Sequence, residues 1–179
     1  MKGFALMHLF HIMESIDPSL PDEWRKLIPE RQRASVEKRA LTSTAWLPVE
    51  FYFHGVNWLA HRLSNSPRGA VELGCQIASR DIGAFFRFVM SMASPATVLM
   101  LSGRFWRSYF DQSSMHATLV GNDGALCEVR DWPLRDETSP HEMAGSMIAW
   151  IEASRAKDVR ITRLEVTAPG HFTFAVRWR

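Results

Sequence analysis

The sequence has few cysteines, little excess of either charge and no long apolar run. Cys75 and Cys127 lie far apart and lack Cys-x-x-Cys spacing, so we expect reduced thiols in a cytoplasmic protein. The 21 Lys and Arg residues against 19 Asp and Glu residues leave a net charge of +2, whereas nucleic-acid-binding domains carry a stronger or more clustered excess. No apolar run reaches the roughly 20 residues of a membrane-spanning helix. These absences argue against a nucleic-acid partner and against a membrane span.

Common catalytic and targeting signatures are also missing. There is no Gly-x-Ser-x-Gly turn, and no glycine-rich phosphate loop with its lysine. The N-terminal stretch MKGFALMHLFHIMESI is apolar, but His8, His11 and Glu14 interrupt it and no small-residue cleavage site follows. We therefore expect this stretch to be a helix of the domain rather than a secretion signal.

The residues that are present fit one globular domain over 1–179, with a helical N-terminal subregion over 1–46 and the core of the domain over 47–179. Hydrophobic residues make up 46% of the chain, including seven Trp and eleven Phe, which is enough for a sizeable core. Helical periodicity predicts helices over 3–15, after Pro48, over about 70–92 and over 95–110. Ser94 is the predicted N-cap of the last of these helices.

The period of the apolar residues then changes from helical to strand spacing. Residues 115–120 and 125–132 alternate like strands around Gly121-Asn122-Asp123-Gly124, which indicates a hairpin. Ser139 and Glu142 have the spacing of a capping box at the start of another helix. Two more strands follow, with a bulge expected near Thr162-Arg163. The predicted fold class is α+β, with an N-terminal helical layer packed on a small antiparallel sheet in the order hairpin, helix, hairpin.

The segment GRFWRSYF places cations and rings side by side. At helical spacing, Arg104, Arg107, Ser108 and Asp111 form one polar stripe, while the rings of Phe105, Trp106, Tyr109 and Phe110 lie on the remaining surface. A nucleic-acid surface needs rings beside cations. The separation therefore favours a core helix with a solvated stripe, and a ligand pocket lined by some of the rings stays as the alternative.

Another polar stripe runs along the helix after Pro48. Glu50, His54, Asn57 and His61 share one face of this helix, and Glu and His four residues apart can bind one metal. However, there is no His-Glu-x-x-His motif. An ordinary polar face is therefore the favoured interpretation, and His8 and His11 are interpreted as structural histidines.

Three stretches of the chain resemble a known family. They are TAWLPVEFYF, GRFWRSYFDQSSMHATLVGNDGALCEVRDW and EMAGSMIAWIEASRAKDVRITRLEVTAPGHFTFAVRW. They resemble a myxobacterial paralogous domain family of unknown function. That family is similar to the superfamily of heme-NO-binding sensors, 4-vinyl-reductase-like regulator domains and a Golgi-transport tethering subunit. The resemblance implies a cavity between helices and sheet and a sensing or interaction role, not an enzyme.

The features of that superfamily that bind heme or metal are missing from this sequence. Heme sensors carry a histidine on the helix before the hairpin and a Tyr-x-Ser-x-Arg stretch after the following strand. Here the corresponding residues are GRFW at 103–106 and DWPL at 131–134. The cysteine cluster of the vinyl-reductase-like regulators is absent as well. We therefore expect no heme cofactor, and a cavity filled by side chains or an apolar ligand.

The sequence patterns and the family resemblance together give three hypotheses for the function. The leading one is a homodimeric sensor of an apolar small molecule, whose cavity is lined by Phe85, Phe88, Met100, Phe105, Trp106 and Tyr109. The alternative is a homodimeric scaffold that binds another protein through small helix residues such as Gly74, Ala78 and Gly83. A metal-dependent enzyme that uses Glu50, His54 and His61 is the least favoured.

Overall fold

The computed structural model describes residues 1–30, 32–34, 45–66 and 68–179, without the side chains of 84–86. Within the N-terminal subregion over 1–46, residues 31 and 35–44 therefore lie outside the described residues. The described helices are α1 Gly3–Ile16, α2 Leu20–Leu27, α3 Val49–Ser64, α4 Gly69–Asp81, α5 Ala84–Met90, α6 Pro95–Tyr109 and α7 Thr138–Glu152. The strands are β1 Ser114–Leu119, β2 Gly124–Arg130, β3 Arg160–Ala168 and β4 His171–Arg177. The chain therefore runs helices, hairpin, helix, hairpin, which confirms the predicted α+β order.

The four strands form one antiparallel sheet in the order β1-β2-β4-β3. Along β4, Phe172, Phe174 and Val176 alternate toward the core and are fully buried, as expected for a strand with one covered face. The register between β3 and β4 shifts between Ile161 and Arg163, which confirms the predicted bulge. The buried face of the sheet packs against α7, and α7 packs against α4.

The contact between α4 and α7 depends on two glycines. A Cβ atom at Gly74 would lie 2.0 Å from the carbonyl oxygen of Glu142, and one at Gly145 would lie 2.0 Å from that of Val71. The two helix backbones therefore touch, and no larger residue fits at either position. The contact explains why each of these helices carries a glycine in its interior, where glycine is otherwise unfavourable.

The predicted single helix over 70–92 is wrong, because two helices occupy this range. At Gly83 the backbone is extended, with φ −56° and ψ 162°, so α4 ends at Asp81 and α5 begins at Ala84. The change of direction moves the expected apolar face: Phe88 is 62% exposed and Val89 is exposed as well, although the helical period predicts that both face the core.

The predicted capping box at Ser139 is also wrong. Helix α7 begins at Thr138, and Oδ1 of Asp136 accepts a hydrogen bond from the backbone N–H of Ser139 at 2.6 Å. The Ser139 hydroxyl instead accepts a hydrogen bond from the buried indole of Trp132 at 2.9 Å and donates to Asp136 at 2.8 Å. A carboxylate is a strong acceptor at a helix N-terminus, where the backbone N–H groups are unpaired. By contrast, Ser94 caps α6 as predicted, since its hydroxyl accepts from the N–H of Thr97.

None of the helices among the described residues is both long enough and apolar enough to cross a bilayer.

Candidate functional site: a cavity lined by carboxyl groups and aromatic rings

A cavity of about 60 Å³ lies where α1, α3, α4, α6 and α7 meet the first strand of the sheet. Much of its wall is aromatic or sulfur-containing. These side chains are Trp106, Phe110 and Trp150, together with Met1, Met115, Met143 and Met147. The polar part of the wall comes from Tyr52, Asp81, Ser102, Tyr109, Glu142 and Ser146. The cavity therefore combines an apolar wall with a small number of hydrogen-bonding groups, as ligand pockets commonly do.

Glu142 is the most deeply buried acid at the cavity. It is 4% exposed, and its Oε1 accepts hydrogen bonds from the Tyr52 hydroxyl at 2.7 Å and from the Ser146 hydroxyl at 3.2 Å. Burial raises the pKa of Glu142 to about 7, and the two hydrogen bonds only partly oppose this effect. Its protonation therefore changes near neutral pH. Burial also raises the pKa of Tyr52 well above its usual range, so this phenol stays protonated.

A second acid, Asp81, ends α4 at the same cavity. Its side chain is 5% exposed and contacts Nδ1 of His8, while the Tyr109 hydroxyl is hydrogen bonded to its carboxyl group. Burial raises the pKa of Asp81, whereas the hydrogen bonds from His8 and Tyr109 lower it. His8 is thus a partnered histidine with a structural contact, in keeping with its interpretation from the sequence.

The predicted cavity residues fall into four groups. Trp106 and Tyr109 line the cavity. Phe105 is not among the lining residues and packs edge-on against Trp150, with ring centroids 4.9 Å apart. Phe88 and Met100 do not line it, because they are 62% and 68% exposed on the surfaces of α5 and α6. The side chain of Phe85 lies outside the described residues.

Sequence reasoning missed Tyr52, Asp81 and Glu142. The sequence pattern suggests a helix cap for Glu142, but this residue lies between Pro140 and Met143 on a helix whose apolar residues predict burial. An acid on the apolar face of a helix was the available signal, because an ionisable group is rarely fully buried without a partner.

The candidate metal ligands do not form a site. Glu50, His54 and His61 are all exposed on α3, and Nδ1 of His54 accepts a hydrogen bond from the indole of Trp24 at 3.0 Å. Within the described part of the chain, no three His, Cys, Asp or Glu side chains are grouped so that they could hold a metal ion.

Both cysteines are poor nucleophiles, because burial raises the pKa of each thiol to about 12. The Cys75 thiol donates to the carbonyl oxygen of Gly145 at 3.1 Å, and Cys127 is fully buried on the sheet. They act as small apolar side chains, as the sequence suggested.

Comparison with known proteins identifies the fold. No protein-family model matches the sequence, and no curated protein matches it. Among solved structures, the Fe(II) unliganded H-NOX protein from K. algicida aligns over 100% of this chain and 97% of its own, with a TM-score of 0.71 and 11% identity. The chain has an H-NOX-like fold.

Two further H-NOX structures agree with this assignment. The H-NOX protein from S. oneidensis in the Fe(II)NO ligation state has a TM-score of 0.73 and 13% identity, and the alignment covers 100% of this chain and 99% of the other. An oxygen-binding H-NOX domain related to soluble guanylate cyclases has a TM-score of 0.64 and 10% identity, with 100% and 95% covered. The heme-NO-binding part of the predicted resemblance is thereby confirmed at the level of fold. The link to 4-vinyl-reductase-like domains stays a prediction.

Proposed function

We propose that this chain is a non-enzymatic sensory domain that binds a small molecule in its H-NOX-like cavity and works without heme. The observation that carries the proposal is the cavity itself, which has buried carboxyl groups and aromatic walls where helices and sheet meet. A fold alone does not define a ligand, so the proposal depends on the residues that line this space.

The cavity residues do not fit a heme. The volume of about 60 Å³ is far below the roughly 300–1,000 Å³ of pockets for ligands of drug size, and a porphyrin belongs to that larger class. The described wall contains no histidine, and α6, which precedes the first hairpin, has none along its length. His116 is exposed on β1, and His8 is engaged with Asp81. Two buried acids would also lie against the carbon framework of the macrocycle, which is unfavourable for ionised carboxylates.

Titration of the purified chain with hemin tests this part of the proposal. We expect no saturable Soret band at one heme per chain, because the cavity offers neither the space nor an axial histidine. Apomyoglobin titrated in parallel confirms that the hemin is competent to bind. A band that saturates at one heme per chain would show that the proposal of a heme-free cavity is wrong.

A second candidate function, protein interaction through a homodimer, is favoured by exposed apolar residues on α5 and α6. Met90 and Val98 pack together in a small buried cluster of their own, while Phe88, Met92 and Met100 on these helices and just after α5 remain 62–68% exposed. Of the small residues proposed for an interface, Gly74 packs on α7, Ala78 lines the cavity and Gly83 is exposed between α4 and α5. Gly74 and Ala78 are therefore not accessible to a partner, whereas Gly83 and the exposed apolar side chains are.

Native mass spectrometry tests the homodimer. We expect a dimer whose dissociation constant rises at least about tenfold when Phe88 and Met92 are both changed to Ser, because the apolar area that they would bury is lost. Leu126→Ser is the matched control, since Leu126 is 40% exposed on the sheet, away from α5. A monomeric wild-type chain at micromolar concentration would contradict the proposal.

A further inference from the structure

We infer that the cavity selects a small alkylammonium ion, an amine of a few heavy atoms, as its ligand. This inference rests on the proposed function as a small-molecule sensor and specifies the chemical class that the sensor recognises. The buried acids alone would not identify a ligand. Their placement does, because both line an unfilled space whose wall is otherwise largely made of aromatic rings, methionine thioethers and small side chains.

The charge distribution at the cavity favours a cation. Asp81 and Glu142 both line it, whereas none of the described lining side chains belongs to Lys, Arg or His. Met1 also lines the cavity, but its amino group donates to the carbonyl oxygen of Leu47 at 2.6 Å. His8 contacts Asp81 from outside the lining. In a site with little water, an ionised carboxylate such as that of Glu142 is costly even when it accepts hydrogen bonds from neutral groups, and a bound cation lowers that cost.

The aromatic wall adds a second source of cation affinity. Tyr109 and Trp150 have ring centroids 5.9 Å apart, and Trp106 lies on the same wall. Aromatic faces attract ammonium groups through their quadrupoles, most strongly in the case of Trp. The methionine thioethers supply a soft apolar surface for the alkyl part of the ligand.

The acceptors for an ammonium group are already held in place. Tyr52 and Ser146 both donate to the same oxygen of Glu142, and Tyr109 and His8 are both bound to Asp81. These donors orient the carboxyl groups before any ligand arrives, which lowers the entropic cost of binding. An ammonium group carries three N–H donors and no acceptor. It therefore matches a site whose strongest hydrogen-bond acceptors are carboxylates.

The size of the cavity limits the alkyl part of the amine. At about 60 Å³, the space accommodates a short branched chain rather than a polyamine or an aromatic amine. Isobutylamine is therefore the probe, with isobutanol as its neutral isostere and isobutyrate as its anionic counterpart.

Calorimetric titration of the full chain at pH 8 tests the inference. At this pH isobutylamine is charged, and Glu142, with a pKa of about 7, is mostly ionised. We expect saturable binding of isobutylamine at least about tenfold tighter than that of isobutanol, because a charged hydrogen bond contributes more than a neutral one. Isobutyrate should not bind. Glu142→Gln and Asp81→Asn should each weaken the binding of the amine about tenfold and leave that of isobutanol unchanged.

Glu152→Gln is the matched control, because Glu152 is exposed on α7 and does not line the cavity. Thermal unfolding of each variant establishes that it is folded, and the two cavity variants test the same point independently. Equal binding of isobutanol and isobutylamine would overturn the amine class but leave a small-molecule sensor in place. Failure of all three probes to bind would overturn both the inference and the proposed binding function of this cavity.

Discussion

Glu142→Gln stabilises the folded chain much more at pH 8 than at pH 5. Burial raises the pKa of Glu142 from its usual value of 4.5 to about 7 in the folded chain. Between these two pH values the folded state retains a proton that the unfolded state releases. The stability of the wild-type chain therefore falls as the pH rises from about 4.5 and levels off above about 7.

The size of this stability change follows from the difference between the folded and unfolded pKa values of Glu142. That difference corresponds to roughly 3 kcal/mol of folding stability, which is fully present at low pH and lost above the folded pKa. The amide of Gln keeps an oxygen acceptor for Tyr52 but does not titrate. The stability of the variant therefore does not fall with pH through this residue. Urea unfolding at pH 5, 6, 7 and 8 measures the difference directly.

Glu152→Gln on the exposed face of α7 should leave the wild-type pH profile intact. Asp81 also has a pKa raised by burial above its usual 3.8, so Glu142→Gln should retain a fall in stability of the same sign as the pH rises above that value. Parallel stability curves for wild type and Glu142→Gln would contradict the assignment of a proton to Glu142 near neutral pH.

The second large effect is expected at the contact between α4 and α7. In an exposed helix, Gly→Ala stabilises by about 1 kcal/mol because Ala restricts the unfolded chain and favours the helix. At Gly74 and Gly145 the new Cβ would instead lie 2.0 Å from a backbone carbonyl oxygen of the opposite helix. Backbone atoms cannot rotate away, so the helices must separate. We expect Gly74→Ala and Gly145→Ala each to lower the free energy of unfolding by about 3 kcal/mol.

Gly83→Ala is the control for this pair. A Cβ at Gly83 meets no atom within 4 Å, and its φ of −56° is open to any residue. This substitution should change the free energy of unfolding by less than about 0.5 kcal/mol. Urea unfolding of the three variants at one pH gives the comparison, and a neutral effect at Gly74 and Gly145 would show that the helices are not in backbone contact.

The same contact connects stability to the site. Asp81 ends α4, and Glu142 lies in the first turns of α7, so the close approach of these helices places both acids at one cavity. Separation of the helices by a new methyl group would widen that cavity and weaken the hydrogen bond from Ser146 to the carbonyl oxygen of Gly74. We therefore expect the glycine variants to lose selectivity for a small ligand along with stability.

Local pattern was sufficient for most of the secondary structure. The polar stripe of Arg104, Arg107 and Ser108 is exposed, and Trp106 beside it is buried, because the helical period alone separates these positions. The Ser94 cap, the first hairpin and the alternation along β4 follow in the same way from residues close together in the chain. The absence of a histidine on α6 is likewise readable from the sequence.

Features that depend on residues far apart in the chain could not be predicted from the sequence. At the start of α7 the Ser139 hydroxyl accepts from the indole of Trp132, so the carboxylate of Asp136 accepts from the helix N-terminus in place of the predicted cap. The cavity is the clearest case: Tyr52, Asp81 and Glu142 belong to three different helices and carry no common motif. Periodicity indicated which residues most elements bury, with Phe88 and Val89 as exceptions, whereas the packing of α3, α4 and α7 brought three polar side chains together in the interior, where low polarity couples their hydrogen bonds and charges.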